Sequence, residues 1–165
     1  MASRHEQFVS RYGGIYEHSP WVAEAVADEV ALGDDIERIA TVMADCVDNA
    51  SAERQLELIR AHPDLAGRAQ IAGELTVASS SEQASAGLDQ CTAEEYDKFQ
   101  ALNRRYRAKF GFPFVMAVRD SGRGEILASF EQRLGNDPAT EFETALIEIH
   151  KIARLRLQAM ENVDG

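Results

Sequence analysis

Cysteine is scarce in this 165-residue chain: Cys46 and Cys91 are the only two, far apart and outside any C-x-x-C pattern. That excludes a disulfide framework and a cysteine-based zinc site, and makes a reducing cytoplasm the default compartment. Lysine occurs only at Lys98, Lys109 and Lys151, none in an apolar stretch that would suit Schiff-base chemistry. Positive charge is short overall, with 17 basic against 28 acidic side chains and a formal net charge of −11. Nucleic-acid binding is thereby disfavoured, because phosphate neutralisation needs a clustered basic surface, and an anionic ligand would need a local positive pocket. No uncharged apolar run reaches the roughly 18 residues that span a bilayer. Met1 to Gln7 is polar with no hydrophobic stretch behind it, and Val163-Asp164-Gly165 is not a peroxisomal S-K-L address. The chain is therefore expected to be cytoplasmic, neither secreted nor membrane-bound. Gly-rich phosphate loops, G-x-S-x-G elbows, dinucleotide fingerprints and internal repeats are all missing.

What is present fits one soluble domain over residues 1–165. Hydrophobic residues make up 45% of the chain and its Gly and Pro counts are ordinary, which excludes disorder and collagen-like structure. Helix signals run from end to end. Ser19-Pro20 reads as an N-cap followed by proline at the first helical position, opening a helix from Trp21 to about Leu32. Gly33 and Asp34 end it and cap the next, where Ile36, Ile39, Ala40, Met43 and Val47 recur at helical spacing. Ser51 opens a third helix, which His62-Pro63 stops because a residue preceding proline is pushed out of the α region.

Thr92-Ala93-Glu94-Glu95 reads as a capping box before the aromatic face Tyr96, Phe99, Leu102, Tyr106 and Phe110, with Gly111 as its stop. Phe112 to Val118 is the one extended-looking apolar run and is expected to be buried. After the turn Asp120-Ser121-Gly122, Glu125 to Leu134 and Pro138 to about Met160 are two more helices. The class predicted is all-α, a helical bundle of about seven or eight helices with one short buried extended segment.

Three places carry candidate chemistry. In Ala61-His62-Pro63-Asp64-Leu65-Ala66-Gly67-Arg68 a histidine lies between a helix end and a proline, which stiffens the backbone beside a group that titrates near neutrality. The plainer alternative is a helix C-terminal histidine favoured by the macrodipole. His62, Asp64 and Glu82 would also serve a metal-dependent hydrolase, although no H-E-x-x-H and no nearby second histidine completes a ligand set. In Thr76 to Leu88, Ser79 and Glu82 have capping-box spacing, while Glu82 and Gln83 beside small residues would suit a planar polar ring. On the final helix the apolar stripe Leu146, Ile149, Ile152 and Ala153 leads to Arg156, whereas Arg154 falls on the other side. An inward guanidinium needs an anionic partner, either a buried carboxylate of the protein or a substrate gripped bidentately. His5, His18 and His150 receive no role, and a non-enzymatic helical module docking a partner helix stays open as a further alternative.

Taken in order, several stretches resemble the 2-oxo-4-hydroxy-4-carboxy-5-ureidoimidazoline decarboxylase family. They are Tyr12-Gly13-Gly14-Ile15-Tyr16-Glu17, Ser19-Pro20-Trp21, Ala61 to Gly67, Ser79 with Glu82-Gln83, and Ala86-Gly87-Leu88. They continue through Leu102-Asn103, Tyr106, Lys109 to Phe114, Arg133-Leu134, Asn136-Asp137, Glu141, Ile152-Ala153 and Arg156-Leu157. The resemblance implies an all-helical homodimeric enzyme, needing neither metal nor organic cofactor, that acts after urate oxidase and hydroxyisourate hydrolase and forms (S)-allantoin. By the same resemblance His62, Glu82 and Arg156 are catalytic. Pro63, Ser79, Gln83 and the segment Phe112, Phe114, Val115 and Met116 would bind the small ureidoimidazoline substrate. That reading requires imidazole, carboxylate and guanidinium to meet at one pocket.

Overall fold

Helices form in this chain wherever a capping side chain, an apolar face and a glycine or proline stop coincide. The structure, a computed structural model, describes residues 2–67 and 75–164, with side chains through Glu161. Arg68 of the histidine segment, and Met1 and Gly165 of the terminal readings, lie outside them. Eight α-helices are present among the described residues: α1 Arg4–Tyr12, α2 Trp21–Val26, α3 Ile36–Asp48, α4 Ala52–Arg60, α5 Val77–Ser85, α6 Ala93–Phe110, α7 Arg123–Leu134 and α8 Pro138–Asp164. A single 3₁₀ turn, Leu88–Gln90, follows α5, and no strand occurs among the described residues. The expected all-α class is what is found. None of these helices is long and apolar enough to cross a membrane.

The chain divides into two units, Met1–Ala61 with Ile149–Gly165, and His62–Glu148. In the first, α2 packs on α1 and α3. Phe8 and Tyr12, one turn apart on α1, bring their rings to 4.7 Å and are buried with Val22, Ile39, Met43 and Val47. The Arg54 guanidinium of α4 lies 4.5 Å from the Trp21 ring centre of α2, a cation–π contact. In the second unit α6 packs on α7 around an aromatic core. Tyr106 is its hub, with the rings of Phe110, Phe112, Phe114 and Phe130 at 4.5 to 5.9 Å, most of them edge-on. The stretch from Phe112 to Val118 belongs to no helix and is largely buried, and that burial is what its composition predicts.

Several caps differ from the sequence expectation, each for a local reason. Ser19 does not cap α2: its hydroxyl donates to the Glu17 carbonyl at 2.9 Å, and the helix starts after Pro20 with no side-chain cap. The same helix ends at Val26 rather than near Leu32, because Glu29 and Val30 both return their amides to the Val26 carbonyl and close a turn. Asp34 does not cap α3, since its carboxylate turns back to the Ala31 amide at 2.8 Å. The capping box expected of Ser79 and Glu82 is not formed. Thr76, three residues upstream, takes the Ser79 amide at 3.1 Å and places Ser79 inside the first turn of α5. Ser51 caps α4, and Thr92 with Glu95 closes a reciprocal box on α6, both as expected. The first helix, α1, carries no strong signal beyond Ser3, whose hydroxyl accepts from the Glu6 amide.

Candidate active site

The second unit opens with His62, which is buried at 6% exposure and lies two residues beyond the last residue of α4. Its backbone leads directly into a tight turn, Asp64 to Gly67. Ala66 is buried there at φ 51°, a left-handed conformation that costs a β-carbon-bearing residue of order 1 kcal/mol. Gly67 follows because the space is closed: a Cβ at that position would meet the Asp64 Cβ at 2.8 Å and the Asp64 carbonyl oxygen at 3.3 Å.

The turn is held by long polar side chains from two helices. On α5, Gln83 uses both ends of its carboxamide, accepting from the Ala66 amide at 3.0 Å and donating to the Asp64 carbonyl at 3.3 Å. From α6, Gln100 donates to the Ala66 carbonyl at 2.6 Å and Asn103 donates to the Leu65 carbonyl at 3.1 Å. Arg107 directs Nε and Nη2 to the Asp64 carboxylate at 3.0 and 2.9 Å. Gln83, read from sequence as a substrate group, thus also shapes the turn. Asp64, the second ligand of the metal reading, is an ion-pair partner of Arg107. No group of three or more His, Cys, Asp or Glu residues placed to hold a metal ion exists among the described residues.

Ser79 and Glu82 stand one turn apart on α5, which puts them on one side of the helix, Ser79 buried and Glu82 half-buried. The Phe112 to Val118 segment is fixed separately. Arg133 of α7 donates Nη1 to the Val115 carbonyl at 2.7 Å, and its guanidinium lies 4.4 Å from the Phe114 ring centre. Phe114 also stacks on Phe130 with centroids 4.0 Å apart and planes 9° from parallel. Farther along, the Ala117 amide donates to Glu148.

Arg133 is in turn held by Glu141, a carboxylate with no exposure at all, through a 2.8 Å ion pair. Glu141 accepts two further bonds, from the Tyr106 hydroxyl at 2.5 Å and from Asn136 Nδ2 at 3.0 Å. Burial first, and then the Glu141 carboxylate it donates to, push the Tyr106 phenol far above its ordinary range. Sequence placed Tyr106 on an aromatic face and named Arg133, Asn136 and Glu141 only within the family resemblance, because polar bonds between separate elements leave no periodic trace.

Arg156 belongs to the first unit. It is buried at 7% exposure, as its inward stripe predicts, whereas Arg154 is half-exposed and pairs with Glu37 at 3.0 Å. The Arg156 Nη1 donates to the carbonyls of Gly14 and Ile15, both at 3.3 Å, and lies 3.6 Å from the carboxylate of buried Glu17. The protein-carboxylate alternative for this arginine is therefore realised. Beside it, buried Tyr16 shares a 2.8 Å hydrogen bond with His150 Nδ1, whose Nε2 lies 2.9 Å from Asp48. Burial, and after it the Asp48 charge, raise the Tyr16 phenol well beyond its usual value. His150 had been given no role, and here it ties α8 to α3 and to the turn that receives Arg156.

The model of the OHCU decarboxylase family matches residues 1–158. The chain is 48% identical over 152 residues to the 2-oxo-4-hydroxy-4-carboxy-5-ureidoimidazoline decarboxylase of Haloferax volcanii, covering 92% of this chain and 88% of that one. It is 41% identical to a uric acid degradation bifunctional protein of a Bacillus species, covering 92% of this chain but 29% of that longer protein. The crystal structure of (S)-allantoin synthase superposes with a TM-score of 0.74 at 34% identity, covering 95% of this chain and 50% of that chain. The chain belongs to the OHCU decarboxylase family.

Proposed function

We propose that the protein decarboxylates 2-oxo-4-hydroxy-4-carboxy-5-ureidoimidazoline to (S)-allantoin in urate degradation, after urate oxidase and hydroxyisourate hydrolase have acted. The observation that carries this is the family match along nearly the whole chain, with a relative of that activity 48% identical to it. The similarity to part of a bifunctional uric acid degradation protein supports the place in the pathway.

The chemistry asks little of a cofactor. When carbon dioxide leaves C4, the electron pair of the broken bond flows into the adjoining C5–N double bond of the ring, so the substrate is its own electron sink. The ring nitrogen that receives the pair takes a proton from solvent, the C4 hydroxyl gives up its proton and becomes the product carbonyl, and a proton added to C5 on one face creates the new stereocentre. The protein's part is to hold the carboxylate out of the ring plane, to stabilise developing charge, and to move those protons.

Roles follow from the chemistry of each group. His62 moves the proton of the C4 hydroxyl or the one delivered to C5, for which an imidazole, with one nitrogen to accept and one to donate, is suited. Glu82 and Ser79 take the polar atoms of the ureido group and ring. Gln83 assists them with donor capacity beyond its bond to Asp64. Pro63 stiffens the backbone beside the imidazole, and the segment Phe112, Phe114, Val115 and Met116 holds the ring through backbone groups and apolar contact. Arg156 takes the substrate's anionic group, with Glu17 moderating a buried positive charge. The same reading makes residues 1–165 one domain of a cytoplasmic homodimer.

The test is kinetic. With the substrate generated in place from urate by urate oxidase and hydroxyisourate hydrolase, adding the protein accelerates disappearance of the intermediate's absorbance in proportion to protein concentration. A decay rate independent of protein would reject the assignment.

A further inference from the structure

Three polar residues of α6, Gln100, Asn103 and Arg107, follow one another at steps of three and four and so share one helical face. They meet consecutive residues of the turn after His62 in reverse order. Gln100 bonds the Ala66 carbonyl, Asn103 the Leu65 carbonyl, and Arg107 the Asp64 carboxylate. Gln83 closes the same turn from α5 through the Ala66 amide and the Asp64 carbonyl. We infer that this face of α6 is a positioning device for His62, reading the turn residue by residue so that the imidazole is aimed before substrate arrives.

Two costs concentrate here that packing alone does not explain. Ala66 is held left-handed, which a β-carbon disfavours, and such strain persists only where the surroundings over-determine it. Asn103 is buried with no partner for Oδ1 among the described residues, a penalty of the kind that stability alone would remove by replacing the residue with an apolar one. Its remaining contribution is the bond from Nδ2 to the Leu65 carbonyl. Ala66 lies four residues beyond buried His62, and Asn103 bonds the carbonyl of the residue just before Ala66.

The face is separate from the aromatic face of the same helix. Phe99, Leu102 and Tyr106 fill the core, so α6 is a core helix on one side and a template on the other. None of its three polar residues needs to touch substrate. Their effect passes through the Asp64 to Gly67 backbone to the imidazole, and sub-ångström aim is what a proton-transfer group requires.

The inference rests on the decarboxylase reading and is tested so that the two can fail separately. Gln100→Met keeps size while deleting the bond to Ala66, and Gln100 is only half-buried, so the fold survives; Arg107→Ala, at an exposed residue, is the second variant. With wild-type protein active, each variant is expected to lower kcat by about tenfold, with KM within about twofold and an unchanged melting temperature. In the same variants the His62 ring resonances, assigned by comparison with His62→Gln, are expected to move from their wild-type positions. Wild-type kcat together with unmoved His62 resonances in both variants would overturn the inference, as would a kcat loss no larger than the loss of folded protein. A wild-type protein without decarboxylase activity would instead reject the functional reading, leaving the resonances to judge the clamp alone.

Discussion

Among the described residues, buried Glu141 and Arg156 are each held by several polar partners, and the sharpest expectations follow from removing one member of such a set. His62→Ala is expected to lower kcat by about 10²- to 10⁴-fold while changing KM little, as loss of a placed acid or base does. Steady-state kinetics on freshly generated substrate checks it. Glu82→Gln is cleaner than the sequence suggests. Because Thr76, not Ser79 with Glu82, caps α5, the substitution touches no cap, and the expected result is a large loss of activity with a melting temperature within about 2 °C of wild type. Tyr106→Phe is the converse case. It leaves the fully buried Glu141 one donor short, which should cost about 1–3 kcal/mol in urea denaturation.

At the scale of elements, α6 shows what a sequence discloses and what it hides. Its capping box, its aromatic face and its glycine stop at φ 78° are all local signals, and each predicts what forms. Glu95 accepts from the Thr92 amide and from Arg123, in that order of effect, and both hold its carboxyl below the ordinary carboxylate range. A depressed folded value stabilises the protein above the unfolded pKa, and the contribution is lost as pH falls through the carboxylate range near about pH 4. Glu95→Gln should therefore lower the urea midpoint at neutral pH, and the difference from wild type should shrink in acid.

The polar face of the same helix was not legible. Gln100, Asn103 and Arg107 find partners 34 to 43 residues away, and nothing in local periodicity marks such bonds. Ser19, Asp34 and Ser79 failed as caps for the opposite reason. Each had a competing polar group within three residues, and sequence spacing alone does not choose between neighbours that close.

For the whole molecule, the order of short motifs along the chain said more than any one of them. His-Pro-Asp-Leu alone fits a helix end equally well, and Arg156 alone fits a structural ion pair, which it does form with Glu17. Placed together with Glu82-Gln83 and the Phe112 to Phe114 run, they match one family from residue 1 to residue 158. The two units fix their own candidate groups by separate means, a polar clamp about the turn after His62 and a carbonyl-lined turn about Arg156. Both kinds of support are preorganisation, and the chemistry proposed for them ends in a single stereocentre. The measurement that bears on this most directly is the handedness of the product, followed by circular dichroism while urate is consumed by urate oxidase and hydroxyisourate hydrolase in the presence of the protein. The expected result is (S)-allantoin in excess, formed faster than the spontaneous reaction and lost with His62→Ala; racemic allantoin at the spontaneous rate would contradict it.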